Sequence, residues 1–490
     1  KKAEQEITLI HEEQRIKSMI PIAFNHNAEA STKPLTKTAF TYNFYYGTLH
    51  THTAYSDGDM DGVCPTFGSA ATCVYQKGDI ALNFHYQGIA DHNHTGTAMT
   101  LSKYTSGTSE CNAFNASPAG TNFVGLYGME WGVISTGGHV IVHGVDKLLG
   151  WQAPNYNIFV GQSDYNRLFK VVDSLNGFCT FAHPNQTDFS SIFTSAPYNS
   201  MWDSVIVGTS LLNGPYNSTA INYSNPSTSF PDEDRFHDLL KKGYWVGPTL
   251  DGDNHNSNTM GRSHQGRTVV LANSLSKTDI TSGFKNRRFY ASEDYNVQVT
   301  FDANSTIIMG SKSTQSTNPA IHVNVTDPDA GDNVSKIEIF YGVPGSGSMA
   351  TLLTTINSVS NYTYTHNITV SPSTYYYYAK ITQSDGHRIW TAPVWYTKNI
   401  SLSLDNDYSN SKSQNYYITA GYESGTFFIS GEINMDKKPD IRVFDLSGKQ
   451  IKFEQEILID KIKISGITEG LYLLKLETES SPIIFKVPVY

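Results

Sequence analysis

The sequence predicts an α/β domain of parallel or barrel type followed by two all-β modules, and three observations lead there. From Phe40 to about Ser311, short apolar strands alternate with helical segments, the pattern of strands joined by crossover helices. From about Asn318 the helical periodicity stops and short alternating strands follow one another between turn residues. The composition agrees, because only 16% of residues are charged, against roughly 25% in ordinary soluble proteins, while Tyr (30) and Gly (38) are abundant. A chain of 490 residues has room for two to four domains at about 100–200 residues each.

Residues 1–39 read as a polar lead-in with at most one short helix, Glu12 to Met19. The α/β domain is assigned to residues 40–312. Within it one unit is especially legible: Ser163 suits a helix N-cap, Leu168, Val171, Val172 and Leu175 recur at helical spacing, Gly177 suits the stop, and Phe178 to Ala182 form a strand ending at His183. The next has Pro231 at a helix start, Phe236, Leu239 and Leu240 on one face, Gly243 as the stop, and the strand Tyr244 to Leu250 leading to Asp251, Asp253 and His255. Residues 313–398 read as a β-sandwich, with strands around Ile321 to Val325, Ile337 to Tyr341 and Tyr375 to Ile381. Asp327, Asp329 and Asp332 in its first turn offer oxygen ligands, but no complete calcium loop follows them, so a solvated turn is the reading. Residues 399–414 form a polar linker and 415–490 a final β module.

The net charge of −10 and the lack of a basic stripe argue against a nucleic-acid or anionic-membrane binder. No run approaches the roughly 18 apolar residues of a membrane span, and the start at Lys1 reads as a processed form. Cys64 and Cys73 flank a short loop and suit a disulfide in an oxidising compartment, although free thiols fit the spacing equally well.

The chemistry lies in where His, Asp and Glu fall. His50 and His52 end the first strand at i and i+2, which puts both imidazoles on one face. Asp57 follows in Ser56-Asp57-Gly58, a sharp turn able to return the carboxylate to the same cleft. Then come Asp91-His92, Glu130, His139, His183 and the second i, i+2 pair, Asp253 and His255. Six imidazoles and three carboxylates at the C-terminal ends of successive strands occupy the place where barrel enzymes keep their active sites. Mixed nitrogen and oxygen donors suit zinc, manganese or iron, and nine of them suit two or three divalent ions, with Glu130 as the bridging carboxylate. A single His of this kind is more often a satisfied surface or core residue. The joint pattern argues against that for the set, and least strongly for His139.

The segments Leu49-His50-Thr51-His52, Ser56-Asp57-Gly58, Ala90-Asp91-His92-Asn93, Gly128-Met129-Glu130, Phe181-Ala182-His183-Pro184 and Asp253-Asn254-His255 resemble the PHP (polymerase and histidinol phosphatase) metallohydrolases, and in particular a carbaryl-hydrolase-like secreted branch. The resemblance covers roughly residues 40–312 and includes the stretch Arg287 to Asp294 followed by a β-sandwich. It implies a distorted (β/α)7 TIM-like barrel with immunoglobulin-like modules behind it, and a di- or trinuclear site. In that site His50, His52, Glu130 and Asp253 would hold one metal, and Asp57, His92, His139, His183 and His255 would complete the others. The insertion Asp59 to Gly88 departs from the family pattern and is expected to reshape the cleft.

The expected reaction is hydrolysis by a metal-bridging hydroxide, with Asp57 or Asp253 taking the proton, Glu130 bridging, and Asp91 orienting a neighbouring imidazole. Arg262, His264 and Arg267 are candidates to clamp a phosphate, with pairing to surface carboxylates nearly as good an account of each. His94, His143 and Arg288 are weaker candidates. The expected activity is a phosphoesterase acting on a small or polymer-derived phosphate ester. One alternative is a carboxylic or carbamate ester or amide hydrolase on the same metals, and another is a non-catalytic surface binding protein.

Finally, Ile441 to Lys449, Ile464 to Gly466, Glu469 to Lys475 and Phe485 to Val487 resemble the C-terminal sorting domain of type IX secretion, without the usual Pro-Asn-Pro opening. This implies handling by the type IX machinery, export across the outer membrane and a secreted or cell-surface location. An ordinary terminal β-sandwich is the plainer account of the same pattern.

Overall fold

The computed structural model describes residues 42–223, 232–369 and 373–399, and, of the terminal segment, 416–420, 425–431, 440–445, 449–458, 461–468, 470–476 and 483–489. The lead-in 1–39, Pro231 and the linker 399–414, apart from Asn399, lie outside these residues, as do Leu446 to Gly448 and Glu469 of the terminal motif. The chain separates into two compact units, 1–399 and 400–490.

The first unit is mixed α/β and mostly sheet. Its central strands are β1 (Asn43–Thr48), β2 (Tyr86–His92), β3 (Val124–Trp131), β4 (Val140–His143), the short pair β5 (Leu149–Gly150) and β6 (Ile158–Phe159), then β7 (Phe178–Phe181), β8 (Ile206–Asn213), β9 (Gly247–Asp251), β10 (Arg267–Ala272) and β11 (Phe289–Ser292). β1, β2 and β3 run parallel, as do β7, β8 and β9. β4 lies between the two groups and is antiparallel to both. On the other side of β1, β10 and β11 are also antiparallel additions. The strand directions are therefore mixed, unlike a regular parallel barrel.

The sheet curls so that its last strand, β9, comes against β10. The Thr268 hydroxyl of β10 accepts from Leu250 N of β9 and donates to Leu250 O, both at 2.9 Å. Beyond the strands, Thr51 and Asn254 form a parallel bridge, and His52 N donates to Asn254 O at 2.9 Å. These contacts bring the ends of β1 and β9 to one place, and both carry chemistry-bearing pairs.

The helices follow from apolar periodicity with polar caps. The helix Tyr165–Ser174 buries Leu168, Phe169 and Val172, and its N-cap is Asp164, whose carboxylate accepts from Arg167 N at 3.0 Å. Ser163 sits one residue too early, at φ +64°, and the left-handed residue after the helix is Asn176 rather than Gly177. The helix Glu233–Lys242 ends as expected at Gly243, in the left-handed conformation at φ +100°.

Past β11 the sheet continues without a break into the β-sandwich. β11 pairs with β20 (Arg388–Thr391), which pairs with β19 (Ser373–Gln383), and β21 (Val394–Lys398), β14 (Lys312–Gln315), β16 (Val334–Gly342) and β17 (Thr351–Asn357) extend the same sheet. The facing sheet holds β12 (Gln298–Ala303), β13 (Ile307–Ile308), β15 (Ala320–Thr326) and β18 (Asn361–Thr365). β12 and β13 thus belong to the sandwich although they precede the expected boundary at 312. Phe44, Tyr46, Leu271 and Tyr290 of the first sheet share one core with Phe301, Val323, Ile339 and Tyr396.

Cys64 and Cys73 form a disulfide, while Cys111 and Cys179 are buried free thiols. In the second unit, two four-stranded antiparallel sheets enclose Ile429, Val443, Ile462, Ile464, Leu474 and Val487.

β3 and β4 approach each other at Gly128 so closely that a Cβ there would lie 2.0 Å from Val142 O and 2.6 Å from His143 Nδ1. Gly128→Ala is expected to cost about 2–4 kcal/mol in urea unfolding. Gly161→Ala, whose Cβ would meet nothing nearer than 3.8 Å, is expected to stay within about 0.5 kcal/mol of the parent.

Candidate metal centre

All nine residues expected from the sequence converge at one edge of the curled sheet. His50 and His52 follow β1, His92 ends β2, Glu130 lies near the end of β3, His183 follows β7, and Asp253 and His255 follow β9. His139 reaches the same edge by another route: it precedes β4, and because β4 is antiparallel its beginning lies beside the ends of β3 and β7. The rule of C-terminal strand ends therefore holds for the set except His139.

The first group of donors is nearly equilateral. His50 Nε2 and His52 Nε2 are 3.0 Å apart, and Asp253 Oδ1 is 3.0 Å from each. Glu130 adds Oε1 at 3.3 Å from His50 and Oε2 at 3.3 Å from His52. Donors held around one ion by bonds of about 2.0–2.1 Å in a tetrahedron stand about 3.3–3.4 Å apart, so these separations are close to those of a tetrahedral zinc site. A second group surrounds Asp57, with His255 Nε2 at 3.6 Å, His92 Nε2 at 3.5 Å and His52 Nδ1 at 3.7 Å. A third gathers on the same Glu130 carboxylate, with His139 Nδ1 at 2.8 Å, His183 Nε2 at 3.1 Å and His92 Nδ1 at 3.2 Å. Glu130 belongs to both the first and third groups, the position of a bridging carboxylate.

The electrostatics are those of a dense charge cluster. Burial works against the Glu130 carboxylate, yet the imidazoles of His139, His50 and His92 hold it well below the usual carboxylate range. Asp253 is likewise held low, by His50 and His52, against its burial. Burial pushes His50 and His52 down, but Asp253 and Glu130 more than reverse this, taking His52 up to about 10. For His92, burial together with the neighbouring imidazoles of His52 and His139 outweighs the Glu130 and Asp57 charges and takes it down to about 3. His50 Nδ1 is buried without a hydrogen bond. Asp253 holds φ +48°, a left-handed backbone at a non-glycine residue, and its Oδ2 accepts from Asn213 Nδ2 at 3.1 Å. Among the nine, Asp57 is the most open, its side chain 37% exposed against 12% for Asp253 and 1% for Glu130.

The residues around the donors depart from expectation. Asp91 touches no imidazole directly. It accepts from Thr53 N at 2.7 Å, Thr53 Oγ1 and Ser56 Oγ at 2.8 Å and Tyr127 OH at 3.0 Å, fixing the turn that joins His52 to Asp57. Its influence on an imidazole passes through Ser56 Oγ, 3.4 Å from His52 Nδ1. Arg267 is fully buried, and its two terminal nitrogens donate to the carbonyls of His264, Gly266, Leu82 and Gly261. It is a brace for the 261–267 loop, which leaves those nitrogens nothing for a phosphate. Arg262 donates to the Asn258 carbonyl and side chain, and His264 is 5% exposed. Arg288 donates to Leu271 O and Ser282 Oγ, and His143 to Leu49 O, so neither reaches the centre. Thr53, Tyr127 and Asn213 were not foreseen, and no local pattern marks them. The segment after Asp59 packs against the site: Met60 N donates to His255 O at 2.9 Å, and Asp61 accepts from Ser257 N and Asn258 N at 2.9 and 2.8 Å. On the rim Trp151 stacks on His94, and Tyr216 sets its ring edge-on to His255.

Residues 406–489 match the family described as secretion system C-terminal sorting domain. The chain thus carries the signal for export across the outer membrane by type IX secretion. No curated protein matches the chain. Among solved structures, the fibronectin(III)-like modules of Clostridium thermocellum CbhA are similar at 17% identity over 39% of this chain and 94% of theirs, with a TM-score of 0.15. An alpha-L-rhamnosidase from Dictyoglumus thermophilum shares 9% over 39% of this chain and 29% of its own, TM-score 0.19. The chicken CNTN1 FN1-FN3 domains share 9% over 36% and 64%, TM-score 0.14. Among the described residues no helix is long and apolar enough to cross a membrane.

His143 beneath the centre supplies a test by pH. Burial takes its imidazole from 6.5 down to about 4, while its Nε2 donates to Leu49 O at 2.9 Å. The folded state keeps it neutral, so protons favour the unfolded chain as pH falls from 6.5 to 4, and stability present above 6.5 is lost through that window. The parent is expected to lose about 3 kcal/mol more than His143→Gln across this range, read as the difference between their unfolding free energies at each pH.

Proposed function

We propose that this protein is an exported metal-dependent hydrolase of the PHP type, a phosphoesterase working from a di- or trinuclear site. The observation that carries the reading is the spacing of the first donor group, four side chains from three strand ends with their donor atoms 3.0–3.3 Å apart. His50, His52, Asp253 and Glu130 would hold one ion. Asp57, His92 and His255 would hold a second, and Glu130, His139 and His183 a third. The curl that joins the ends of β1 and β9 is read as the distorted barrel of that family. Divalent zinc, manganese or iron bound there supplies Lewis acidity and an acidified water.

The chain's own groups divide the remaining work. Asp57, the most open carboxylate, is the residue able to meet a proton from entering water. Asp253 is committed on both oxygens, to His50 and His52 through Oδ1 and to Asn213 through Oδ2, and serves to hold the centre. Asp91 keeps the turn between His52 and Asp57 rigid, so the two donor groups stay in register.

A second reading, hydrolysis of an uncharged carboxylic or carbamate ester or an amide, has its own support. Of the arginines expected to clamp a phosphate, Arg267 is committed at both terminal nitrogens to backbone carbonyls and Arg262 at Nη2 to Asn258, and the rim carries Trp151 and Tyr216.

The test uses the full chain, stripped of metal and reloaded separately with manganese, zinc or iron, against an activated phosphodiester, a phosphomonoester and a carboxylic ester. Chelator-sensitive phosphate-ester turnover is expected, falling more than about 100-fold, together with metal content, in His50→Ala and Glu130→Gln. Cleavage of the carboxylic ester alone selects the second reading. Unchanged metal content and turnover in both variants overturns the site.

A further inference from the structure

A second, different cluster lies where the central sheet passes into the sandwich. Asp294 follows β11, in the turn that leads to β12. Its Oδ1 accepts from Asn296 N and Val297 N, both at 2.7 Å, while Oδ2 accepts no hydrogen bond although the residue is 1% exposed. Asp327 and Asp332 come from the turn between β15 and β16, and one carboxylate oxygen of each lies within 4.8 Å of the others and of Asp294. Oxygens bonded to one calcium ion at 2.3–2.6 Å can be up to about 5 Å apart.

Two further buried oxygens, on residues bonded to these turns, are left without a donor. Gln383, at the end of β19 and 1% exposed, donates its Nε2 to Asp327 Oδ2 at 2.6 Å, and its buried Oε1 bonds nothing. Asn296 donates Nδ2 to Asp329 Oδ2 at 3.0 Å, and its buried Oδ1 is likewise unbonded. A side-chain carbonyl buried without a donor is costly in a folded protein. Asp329 is not part of the gap, since its Oδ2 also accepts from Tyr295 OH at 2.6 Å.

The charge balance points the same way. His387 pairs with Asp385 and stands 3.9 Å from Asp294 Oδ2, and the neighbouring Arg388 is taken by Glu293. Three carboxylates thus converge with one imidazole beside them. Burial raises Asp294, and burial with the Asp294 and Asp329 charges raises Asp327 to about 6.

We propose that Asp294, Asp327 and Asp332, with the side-chain carbonyl of Gln383, bind a calcium ion that ties the β11–β12 crossing to two turns of the sandwich. The donors are all oxygen, which selects a hard cation over the zinc, manganese or iron suited to the histidine centre. Calcium tolerates such an irregular set, whereas magnesium demands a near-ideal octahedron. The site joins residues 294, 327–332 and 383, three segments distant in sequence that meet at the passage between the two parts of the unit.

The experiment compares the full chain with Asp327→Asn and Asp332→Asn by thermal melting and by terbium luminescence, for which Tyr295 is a nearby sensitiser. Millimolar calcium is expected to raise the parent's Tm by at least about 3 °C and to displace terbium. The Asp332→Asn variant, whose side chain is only partly buried, should fold and bind calcium more than about tenfold more weakly, and Asp327→Asn should lose the shift. An equal calcium shift in the parent and in Asp332→Asn, or none in the parent, overturns the proposal. An equal shift from magnesium overturns the assignment to calcium. If Asp327→Asn does not fold, Asp332→Asn decides alone.

Discussion

Everything at the histidine-rich edge depends on one buried charge, the carboxylate of Glu130. At 1% exposure it has almost no water, and an uncompensated carboxylate in such a place costs several kcal/mol. Compensation comes from five imidazole nitrogens within 3.3 Å of its oxygens, donated by residues that follow, end or precede four different strands. That demand constrains the topology. β1, β2 and β7 must finish, and β4 must begin, at the level where β3 presents Glu130. The close contact of Gly128 with Val142 O is part of the same constraint, since β3 and β4 must approach tightly for His139 to come within 2.8 Å of Glu130.

Much of this centre was legible because the relevant information is local. A pair such as His50 and His52 fixes its own geometry through the two-residue repeat of extended chain, whereas Asp253, at φ +48°, comes to the site beside His255 through a left-handed turn that the spacing does not express. Strand direction is not local. Nothing in Gly137-Gly138-His139 reveals that the following strand runs backwards, and His139 therefore joined the set for a reason the sequence did not express. The loop 261–267 shows the opposite failure. An arginine in a run of glycine, serine and histidine reads identically whether its guanidinium faces a ligand or braces the loop from within, and Arg267 does the latter. Asp91 was recognised as a supporting residue, but its partners Thr53 and Tyr127 are ordinary residues whose role exists only in the folded chain.

The boundary between the α/β part and the sandwich was legible as a change of periodicity and yet is no boundary in the sheet. The alternation changes near Asn318 because helices stop covering one face of each strand, not because hydrogen bonding stops. β11 pairs with β20 as it does with β10, and Arg388 holds Glu293 through its backbone N–H and guanidinium across that junction. Residues such as Phe44 and Leu271 then face sandwich side chains rather than helices. The sandwich thereby serves as the outer layer for β1 and β10, the strands that flank His50, and its role in stability cannot be separated from the centre's.

The segment carrying the disulfide connects export with the architecture of the site. A disulfide persists in oxidising surroundings, and the sorting domain at residues 406–489 sends the chain to such a place. Closing a loop with a sequence separation of 9 contributes about 2–3 kcal/mol by restricting the unfolded chain. The segment leading into that loop is the one that touches the centre: Met60 bonds to the His255 carbonyl, and Asp61 accepts from the backbone of the turn at Ser257 and Asn258. Asp59 holds the start of the loop by accepting from Val63 N and Cys64 N. The covalent link thus secures a wall built against His255, one of the residues that surround Asp57. The open side of the second donor group is thereby fixed by a covalent bond that oxidising surroundings maintain, while its buried side is held by Glu130 through His52 and His92.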